Sequence, residues 1–144
     1  MIVQLTAWLY QGDYRSVHLG EYKNHTIGAI ICVSENNERA FPASDQSVSY
    51  LWCPMSDPGE NLTMKKLSAI INFAHEFKDN GVLVHCVGGV NRSSAICALL
   101  LCSMDGMTEE QACFLIREKN GGMNIREELA EKMACLTGRN IRNP

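Results

Sequence analysis

Residues 81–104, GVLVHCVGGVNRSSAICALLLCSM, combine a short apolar run, a glycine-containing loop and a long apolar run. The first run (82–84) is short and β-branched, which predicts a buried strand. The second run (95–102) has the length and composition of a buried helix. A loop between a strand and a helix N-terminus offers backbone N–H groups and the helix dipole to an anion. The stretch therefore predicts an anion site between Cys86 and Arg92.

The side chains of this loop fit phosphate ester chemistry. A cysteine thiolate is a competent nucleophile, and the loop amides, the helix N-terminus and Arg92 are placed to stabilise it. Arg92 can also hold two phosphate oxygens in a bidentate contact, and Ser93 can hydrogen-bond to Cys86 and help it leave. His85 has two equally favoured interpretations, a support for the loop backbone and a buried core histidine. The predicted phosphate-binding loop consists of Val87, Gly88, Gly89, Val90, Asn91 and Arg92.

A departing alkoxide or phenoxide needs a proton, so we expect a general acid close to the loop. Asp57 is the best candidate, because its loop follows a strand predicted at 48–53. If that strand neighbours the 82–84 strand, both loops emerge at the same edge of the sheet. On spacing alone, a catalytic role and a role as a turn cap are evenly matched, with Asp45 as a weaker alternative acid. Cys53 is expected to be a buried thiol, with a resolving thiol as the alternative.

The rest of the chain alternates strand and helix patterns. Further strands are predicted at 2–5, 8–10 and 27–33, a turn at 11–13, and a polar loop at 34–47. Helices are expected after Asp13, Thr63 and Thr108, and a last helix is predicted to start with a cap at 124–127. Together these patterns predict an α/β fold with a central, largely parallel sheet of about four to five strands flanked by helices. Ligands of such sheets bind beyond the C-terminal strand ends.

Length and composition fit one domain over residues 1–144, with 46% hydrophobic residues. A net charge of −3 gives no general attraction to nucleic acid or anionic membranes. No apolar run reaches the roughly 18 residues that span a bilayer, and residues 1–11 lack a signal-peptide pattern. Seven irregularly spaced cysteines predict free thiols in a reducing compartment, the cytoplasm or the nucleus. The four histidines make no metal-ligand spacing with them, so neither metal nor cofactor is expected.

The segment HCVGGVNRS at 85–93 closely resembles the HCxxGxxR[ST] signature of the cysteine-dependent protein tyrosine phosphatases, and most of all its dual-specificity form HCxAGxSRS. LYQG at 9–12 is similar to the LYLG segment that opens these domains. Ser56-Asp57 followed by Asn61-Leu62 resembles their general-acid loop, shortened by one residue. The resemblance covers nearly the whole chain and implies a protein tyrosine phosphatase-like fold.

Carried over residue by residue, the resemblance implies a phosphocysteine mechanism without a metal. Cys86 would be the nucleophile, Arg92 the phosphate ligand, Ser93 the stabiliser of the leaving thiolate and Asp57 the general acid. The implied substrates are proteins that carry phosphotyrosine, phosphoserine or phosphothreonine, and the chain is expected to act as a monomer.

Two residues within the segment 85–93 depart from the family signature, and two alternatives stay open. Gly88 replaces the usual alanine, and Asn91 replaces the usual serine. An Asn-Arg pair is also similar to RNA 5′-triphosphatases of the mRNA-capping type, which share the fold and the nucleophile without relying on the same acid. Low overall basicity disfavours RNA as a partner. A non-catalytic phosphate-binding module ranks last, because Cys86, Arg92 and Asp57 are all present.

Overall fold

A five-stranded sheet forms the centre of the computed structural model, which describes residues 1–35 and 45–144. The strand order is β1-β2-β5-β3-β4, and every neighbouring pair is parallel except β1 with β2. The predicted α/β class and the largely parallel sheet are therefore confirmed. The strands are Ile2–Gln4 (β1), Leu9–Gly12 (β2), Ala29–Cys32 (β3), Ser49–Trp52 (β4) and Val82–His85 (β5).

Within the described residues, five α-helices pack around this sheet, and several begin at the caps that the sequence predicts. The Thr63 side chain accepts a hydrogen bond from the backbone N–H of Lys66. Thr108 and Gln111 form a reciprocal capping box. The helices are Tyr14–His18 (α1), Met64–Phe77 (α2), Arg92–Asp105 (α3), Glu109–Lys119 (α4) and Glu127–Thr137 (α5), with 3-10 turns at Glu21–Asn24 and Lys78–Asn80. Among the described residues, none of the helices combines the length and the apolar character needed to cross a membrane.

Alternation of side chains along the strands divides the interior into two apolar layers. Val82 and Val84 of β5 face a large core to which α2, α3, α4 and α5 contribute. Leu83 faces the opposite, smaller core together with Tyr10 and Tyr22. Because β5 is buried on both faces, its sequence is a continuous apolar run rather than an alternating one.

Two predicted boundaries at the ends of elements are wrong. Gln11 is not a turn residue but lies inside β2, opposite Val84 of β5, where the parallel ladder extends the strand by two residues. The turn begins at Asp13, whose carboxylate caps α1. The predicted cap at 124–127 does not form either: α5 begins at Glu127 without a side-chain cap. Its predicted cap residue, Asn124, instead donates its backbone N–H to a loop carbonyl.

The expected neighbour of β5 is also corrected by the structure. β4 pairs with β3 and not with β5, so β3 lies between the two strands. The predicted common edge is nevertheless present, because β2, β3, β4 and β5 are all mutually parallel and their C-terminal ends converge. The loops that carry Cys86 and Asp57 both leave from that edge. Most of the predicted polar loop at 34–47 lies outside the described residues.

Gly81, the residue before β5, offers a test of how the central strand is held. Its φ of +82° lies in the left-handed region, and a Cβ there would be 1.9 Å from the carbonyl oxygen of Thr26. We expect Gly81→Ala to lower the free energy of unfolding by about 3 kcal/mol or more, since the backbone must move. Gly106→Ala is the matched control, because Gly106 has a φ of +67° but no atom within 4 Å of the added Cβ.

The control should cost only the conformational penalty of about 1–2 kcal/mol that a left-handed alanine carries. Chemical denaturation of both variants measures the difference. Equal destabilisation by the two substitutions would show that the contact with Thr26 does not hold the start of β5.

Candidate active site

Cys86 lies at the C-terminal end of the central strand, where its side chain is nearly inaccessible to solvent (2% exposed). The Gly89 N–H donates to Cys86 Sγ at 3.3 Å. Ser93, in the first turn of α3, places its hydroxyl oxygen 3.3 Å from the same sulfur. Both groups can donate hydrogen bonds to a thiolate, so the predicted proximity of Ser93 to Cys86 is present.

The loop from Val87 to Asn91 is fixed by hydrogen bonds to its carbonyl groups. Tyr14 N–H donates to the carbonyl of Val87 (3.0 Å), and Asn124 N–H donates to that of Val90 (2.9 Å). The Gly89 carbonyl accepts from the side-chain amides of two buried residues. An anion above Cys86 therefore does not meet unpaired carbonyl dipoles from these three residues.

The two glycines of the loop have different structural roles. Gly89 adopts a φ of +71°, and a Cβ on it would lie 2.9 Å from the carbonyl oxygen of Gly12. Glycine is therefore required at this position. At Gly88 the nearest atom to an added Cβ is Val90 Cγ2, at an ordinary contact distance of 3.7 Å. The alanine that is usual in the family would fit, so this departure leaves the loop geometry intact.

Arg92 is the first residue of α3 and is almost fully buried. Its Nη1 donates to the carbonyl of Met55 at 3.1 Å, and its Nε lies 3.3 Å from Asp57 Oδ1. The guanidinium thus spans the distance between the phosphate loop and the loop after β4. A planar guanidinium held in this way is pre-oriented for bidentate contact with a phosphate.

Asp57 lies in a turn and also faces the cleft, so both of its predicted roles are structurally compatible. The Asn91 side-chain amide donates to the carbonyl oxygen and to Oδ1 of Asp57, each at 2.8 Å. The Asn91 Oδ1 accepts the backbone N–H of Arg126 at 2.8 Å. Asn91 therefore links the phosphate loop, the Asp57 loop and the segment before α5.

The surroundings of Asp57 stabilise its charged form. Burial by itself raises the pKa of the Asp57 carboxyl. Hydrogen bonds from Asn91 and Arg126 and the positive charges of Arg92 and Arg126 act in the opposite direction and outweigh burial. The pKa of Asp57 is therefore below its usual value, and the group is a carboxylate at neutral pH in the free protein.

A cleft of about 470 Å³ opens above Cys86. Its charged lining comprises Arg92 and Arg126 on one hand and Asp57 and Glu35 on the other. Such a lining can receive an anion at Arg92, with the Asp57 carboxyl group beside it. Within the described residues, no group of three or more His, Cys, Asp or Glu side chains is arranged to hold a metal ion.

The structure bears on the two interpretations of His85 and on Asp45 as the alternative acid. His85 is fully buried and its Nδ1 lies 3.1 Å from the Cys86 carbonyl oxygen, so it is at once a core residue and a contact of the loop backbone. Asp45 does not line the cleft. Its carboxylate accepts from the hydroxyl of Tyr22 and from Ser47, and burial together with Asp45 raises the pKa of Tyr22 to about 12.

The structure supports the expectation that Cys53 is a buried thiol. Its Sγ donates to the carbonyl of Lys66 on α2 at 3.7 Å. Burial raises the pKa of the Cys53 thiol, and the nearby Lys66 charge opposes this only in part. A protonated thiol bonded to a helix carbonyl is poorly suited to attack an oxidised Cys86.

Three residues around the site were not anticipated from the sequence: Gln11, Asn120 and Arg126. Gln11 carried a signal, since it occupies the position of leucine in the LYLG pattern and is a polar residue at the end of an apolar strand. Asn120 follows α4 and Arg126 precedes α5, more than 25 residues after the loop. Their approach to the site depends on how these helices pack, which no local pattern reports.

The Arg126 contact with Asp57 makes a direct prediction about protonation. Arg126 Nη1 lies 3.2 Å from Asp57 Oδ2, and both side chains are about half exposed. Because a cation favours the carboxylate, Arg126→Gln should raise the pKa of Asp57. Solvent screens this exposed ion pair, so we expect the rise in the pKa of Asp57 to be small. Carbon-detected NMR titration of the Asp57 carboxyl measures the change.

Arg126→Lys, which keeps the charge, is the control and should leave the titration of Asp57 nearly unchanged. A titration midpoint that stays constant or falls in Arg126→Gln would contradict a role of this ion pair in keeping Asp57 ionised.

Comparison with known proteins places this geometry in a family. The family model described as dual specificity phosphatase, catalytic domain, matches residues 9–136. Dual specificity protein phosphatase 12 of Mus musculus is 30% identical over 130 residues, which are 87% of this chain and 38% of that protein. Human dual specificity protein phosphatase 15 is 29% identical over 102 residues, 69% of this chain and 33% of that protein. The chain thus spans between 33% and 38% of the length of these curated relatives.

A solved structure extends the similarity to three dimensions. The crystal structure of the human tyrosine phosphatase-like serine/threonine/tyrosine-interacting protein aligns with a TM-score of 0.77 and 26% identity, over 93% of this chain and 96% of that one. The protein tyrosine phosphatase-like fold that the sequence predicts is therefore confirmed. Since the family model matches most of the chain, the protein belongs to the dual specificity phosphatase catalytic domain family.

Proposed function

We propose that this chain is a protein phosphatase domain that hydrolyses phosphotyrosine and phosphoserine or phosphothreonine through a phosphocysteine intermediate. The observation that supports this most strongly is the position of Arg92, which lies in the same loop as Cys86 and contacts Asp57 across the cleft. Nucleophile, anion ligand and candidate proton donor thus line one cavity. The two curated relatives bear the name dual specificity protein phosphatase, which fits this substrate class.

The first step forms a sulfur–phosphorus bond. The Cys86 thiolate attacks the phosphorus of the ester, and the bond from phosphorus to the ester oxygen breaks. Arg92 and the loop N–H groups bind the equatorial phosphoryl oxygens, where they stabilise the charge of the transition state. Asp57 supplies the proton to the departing oxygen, so that an alcohol or phenol is released and not an alkoxide.

Asp57 must be protonated for this step, although it is a carboxylate in the free protein. A bound phosphate dianion adds negative charge next to Asp57 and engages Arg92, which now contacts the Asp57 carboxylate. Both changes raise the pKa of Asp57 from its lowered value. Substrate binding is therefore the event that prepares the acid.

The second step hydrolyses the phosphocysteine. Asp57, now a carboxylate again, accepts a proton from the water that attacks phosphorus. The sulfur–phosphorus bond breaks and Cys86 leaves as a thiolate, to which Ser93 Oγ and the Gly89 N–H can donate hydrogen bonds. Inorganic phosphate is released and the site returns to its starting state.

The two alternatives receive less support from the geometry. The resemblance to the RNA 5′-triphosphatases rests on the pair Asn91-Arg92. In this structure Asn91 has a structural role, because its side chain contacts Asp57 and Arg126. A role for Asn91 in RNA recognition is not needed to explain it. A binding module without catalysis would have no use for a proton donor beside the anion ligand, yet Asp57 contacts Arg92.

The same proposal includes the setting in which the domain works. We infer a single catalytic domain that acts as a monomer in the cytoplasm or nucleus. All seven cysteines are free thiols, which fits a reducing compartment.

Kinetics on matched variants tests the proposal. Cys86→Ser should abolish turnover of para-nitrophenyl phosphate, phosphotyrosine peptide and phosphothreonine peptide. Asp57→Asn should slow hydrolysis of the phosphothreonine peptide by about 10²–10⁴-fold, because the alkoxide leaving group needs a proton. The loss should be much smaller for para-nitrophenyl phosphate, whose phenolate leaves readily. Asp45→Asn, which changes a carboxylate outside the cleft, should leave all rates unchanged.

Two results would contradict this assignment. An Asp57→Asn enzyme with wild-type activity on the phosphothreonine peptide would remove Asp57 as the acid. Faster release of γ-phosphate from triphosphorylated RNA than of phosphate from either peptide would favour the RNA 5′-phosphatase.

A further inference from the structure

A buried glutamine behind the phosphate loop contacts the hydroxyl group that touches the nucleophile. Gln11 lies in β2 and is completely inaccessible to solvent. Its Nε2 donates to Ser94 Oγ at 2.8 Å and to Ser93 Oγ at 3.0 Å. A third acceptor, the Gly89 carbonyl, is more distant at 3.3 Å. The two amide hydrogens of Gln11 are thus used mainly by the two serines.

Gln11 is itself oriented by a second buried amide. Asn120, at the end of α4, donates from Nδ2 to Gln11 Oε1 at 3.1 Å and to the Gly89 carbonyl at 2.9 Å. Its Oδ1 accepts the backbone N–H of Gly122 at 3.2 Å. Asn120 therefore contacts Gln11, the phosphate loop and the turn after α4 at once.

The chemistry of these groups determines the direction of every hydrogen bond. The Gly122 N–H can only donate, so Asn120 must present its oxygen there and its NH₂ to Gln11. Gln11 then presents its oxygen to Asn120 and its NH₂ to Ser93. If the amide of Gln11 were flipped, its oxygen would face the Gly89 carbonyl oxygen. If the amide of Asn120 were flipped, its oxygen would face both that carbonyl oxygen and Gln11 Oε1.

One consequence concerns the proton of the Ser93 hydroxyl. A side-chain amide NH₂ cannot accept, so Ser93 Oγ is the acceptor from Gln11 and keeps its own proton for another partner. The carbonyl four residues earlier, a frequent acceptor for a helical serine, belongs to Gly89 and already accepts from both amides. Cys86 Sγ, at 3.3 Å, is the remaining contact recorded for this hydroxyl.

We propose that Gln11 and Asn120 are positioning residues that orient the Ser93 hydroxyl as a hydrogen-bond donor to the Cys86 thiolate. We call the chain of hydrogen bonds from the Gly122 N–H through Asn120, Gln11 and Ser93 to the Cys86 sulfur the relay. Each donor in the relay polarises the next. It stabilises the thiolate before attack and again when the thiolate leaves phosphorus. The inference rests on the proposed role of Cys86 as the nucleophile.

The position of Gln11 within the family pattern fits this role. The LYLG segment that this chain resembles has leucine where Gln11 stands, and a leucine cannot donate to Ser93. A fully buried polar side chain is costly unless its hydrogen bonds are made. Gln11 makes bonds with both its oxygen and its nitrogen, so the relay also explains why the fold tolerates it.

The relay can be tested without any substrate by alkylating Cys86 with iodoacetamide. Mass spectrometry measures the extent of alkylation at Cys86 across a range of pH and gives its pH midpoint. Gln11→Met keeps the approximate size but removes the donor, and should raise the pH midpoint of alkylation by about half a pH unit. The kcat for para-nitrophenyl phosphate should fall about 3- to 10-fold. In a Ser93→Ala background, Gln11→Met should produce no further shift of the midpoint, because Gln11 acts through Ser93.

Ser94→Ala is the matched control. Ser94 shares the Gln11 donor and is equally buried, but its recorded bond is to Gln11 and not to Cys86. We expect the alkylation midpoint in Ser94→Ala to equal that of wild type. Asn120→Leu, which removes the group that orients Gln11, should shift the midpoint in the same direction as Gln11→Met.

Thermal unfolding establishes which variants are folded, and the wild-type protein provides a readout that needs no substitution. The side-chain amide resonances of Gln11 should change with pH at the same midpoint as Cys86 alkylation. Resonances that do not respond at that midpoint would overturn the relay. So would a folded Gln11→Met with an unchanged midpoint, or one that shifts the midpoint equally in the Ser93→Ala background.

These outcomes are distinct from failure of the proposed function. If wild type turns over no phosphomonoester, Cys86 is not the nucleophile of a phosphatase, whatever its alkylation shows. If wild type is active and Cys86→Ser is inactive while Gln11→Met behaves as wild type, only the relay is wrong.

Discussion

The parallel pairing of β5 with β2 on one side and β3 on the other is the constraint on which the site depends. Because both neighbours run in the same direction as β5, three strand ends meet at one edge, and Cys86 is the first residue beyond it. The backbone of β5 is held by two ladders and its side chains by two apolar layers. Cys86, the proposed nucleophile, thus follows a strand that is held on both edges and on both faces, and such support favours a preorganised loop.

The charge of the buried Arg92 side chain is compensated by its neighbours in the site. Arg92 is buried, and a buried cation is costly unless it is paired. In the free protein the Asp57 carboxylate and the Met55 carbonyl supply that compensation. In the mechanism that we propose, a phosphate that enters the cleft replaces Asp57 as the partner of Arg92. The contact seen in the free protein would then be the one that substrate displaces, and its loss would allow Asp57 to be protonated.

Asn91 and Gln11 show how two departures from the family pattern become part of the site. Each places an amide where the family usually has a residue with a simpler role, serine at one position and leucine at the other. Asn91 links the loop that contains Asp57 to the phosphate loop through two hydrogen bonds to Asp57. Gln11 contacts the phosphate loop from the interior, through Ser93. The phosphate loop is consequently held by the side-chain amides of both residues.

The candidate catalytic residues could be predicted where they lie close together in the sequence. Cys86, Arg92 and Ser93 lie within eight positions, between an apolar run of strand type and an apolar run of helix type, so the sequence predicted that they lie together. The class of the sheet followed from the alternation of strands and helices. The proximity of Asp57 to the Cys86 loop was predicted from a direct pairing of β4 with β5, which is wrong. The two loops are nevertheless close, because the C-terminal ends of parallel strands lie at the same edge of the sheet whatever the strand order.

What could not be predicted depends on packing between distant segments. Arg126 contacts Asp57, and Asn120 contacts Gln11, only because α4 and α5 pack against α3. Neither residue lies in a pattern that indicates such a contact. The end of β2 was misplaced for a related reason: Gln11 and Gly12 have the composition of a turn, but pairing with β5 keeps them extended.

The most direct test of the central claim is to look for the phosphocysteine during turnover. Wild type and Ser93→Ala, which should slow breakdown of the intermediate, are mixed with phosphotyrosine peptide, quenched rapidly and digested for mass spectrometry. We predict one phosphoryl group on the fragment that contains Cys86, with higher occupancy in Ser93→Ala and none in Cys86→Ser. Sustained turnover with Cys86 unmodified at every time point, or a phosphoryl group on another residue, would contradict the account.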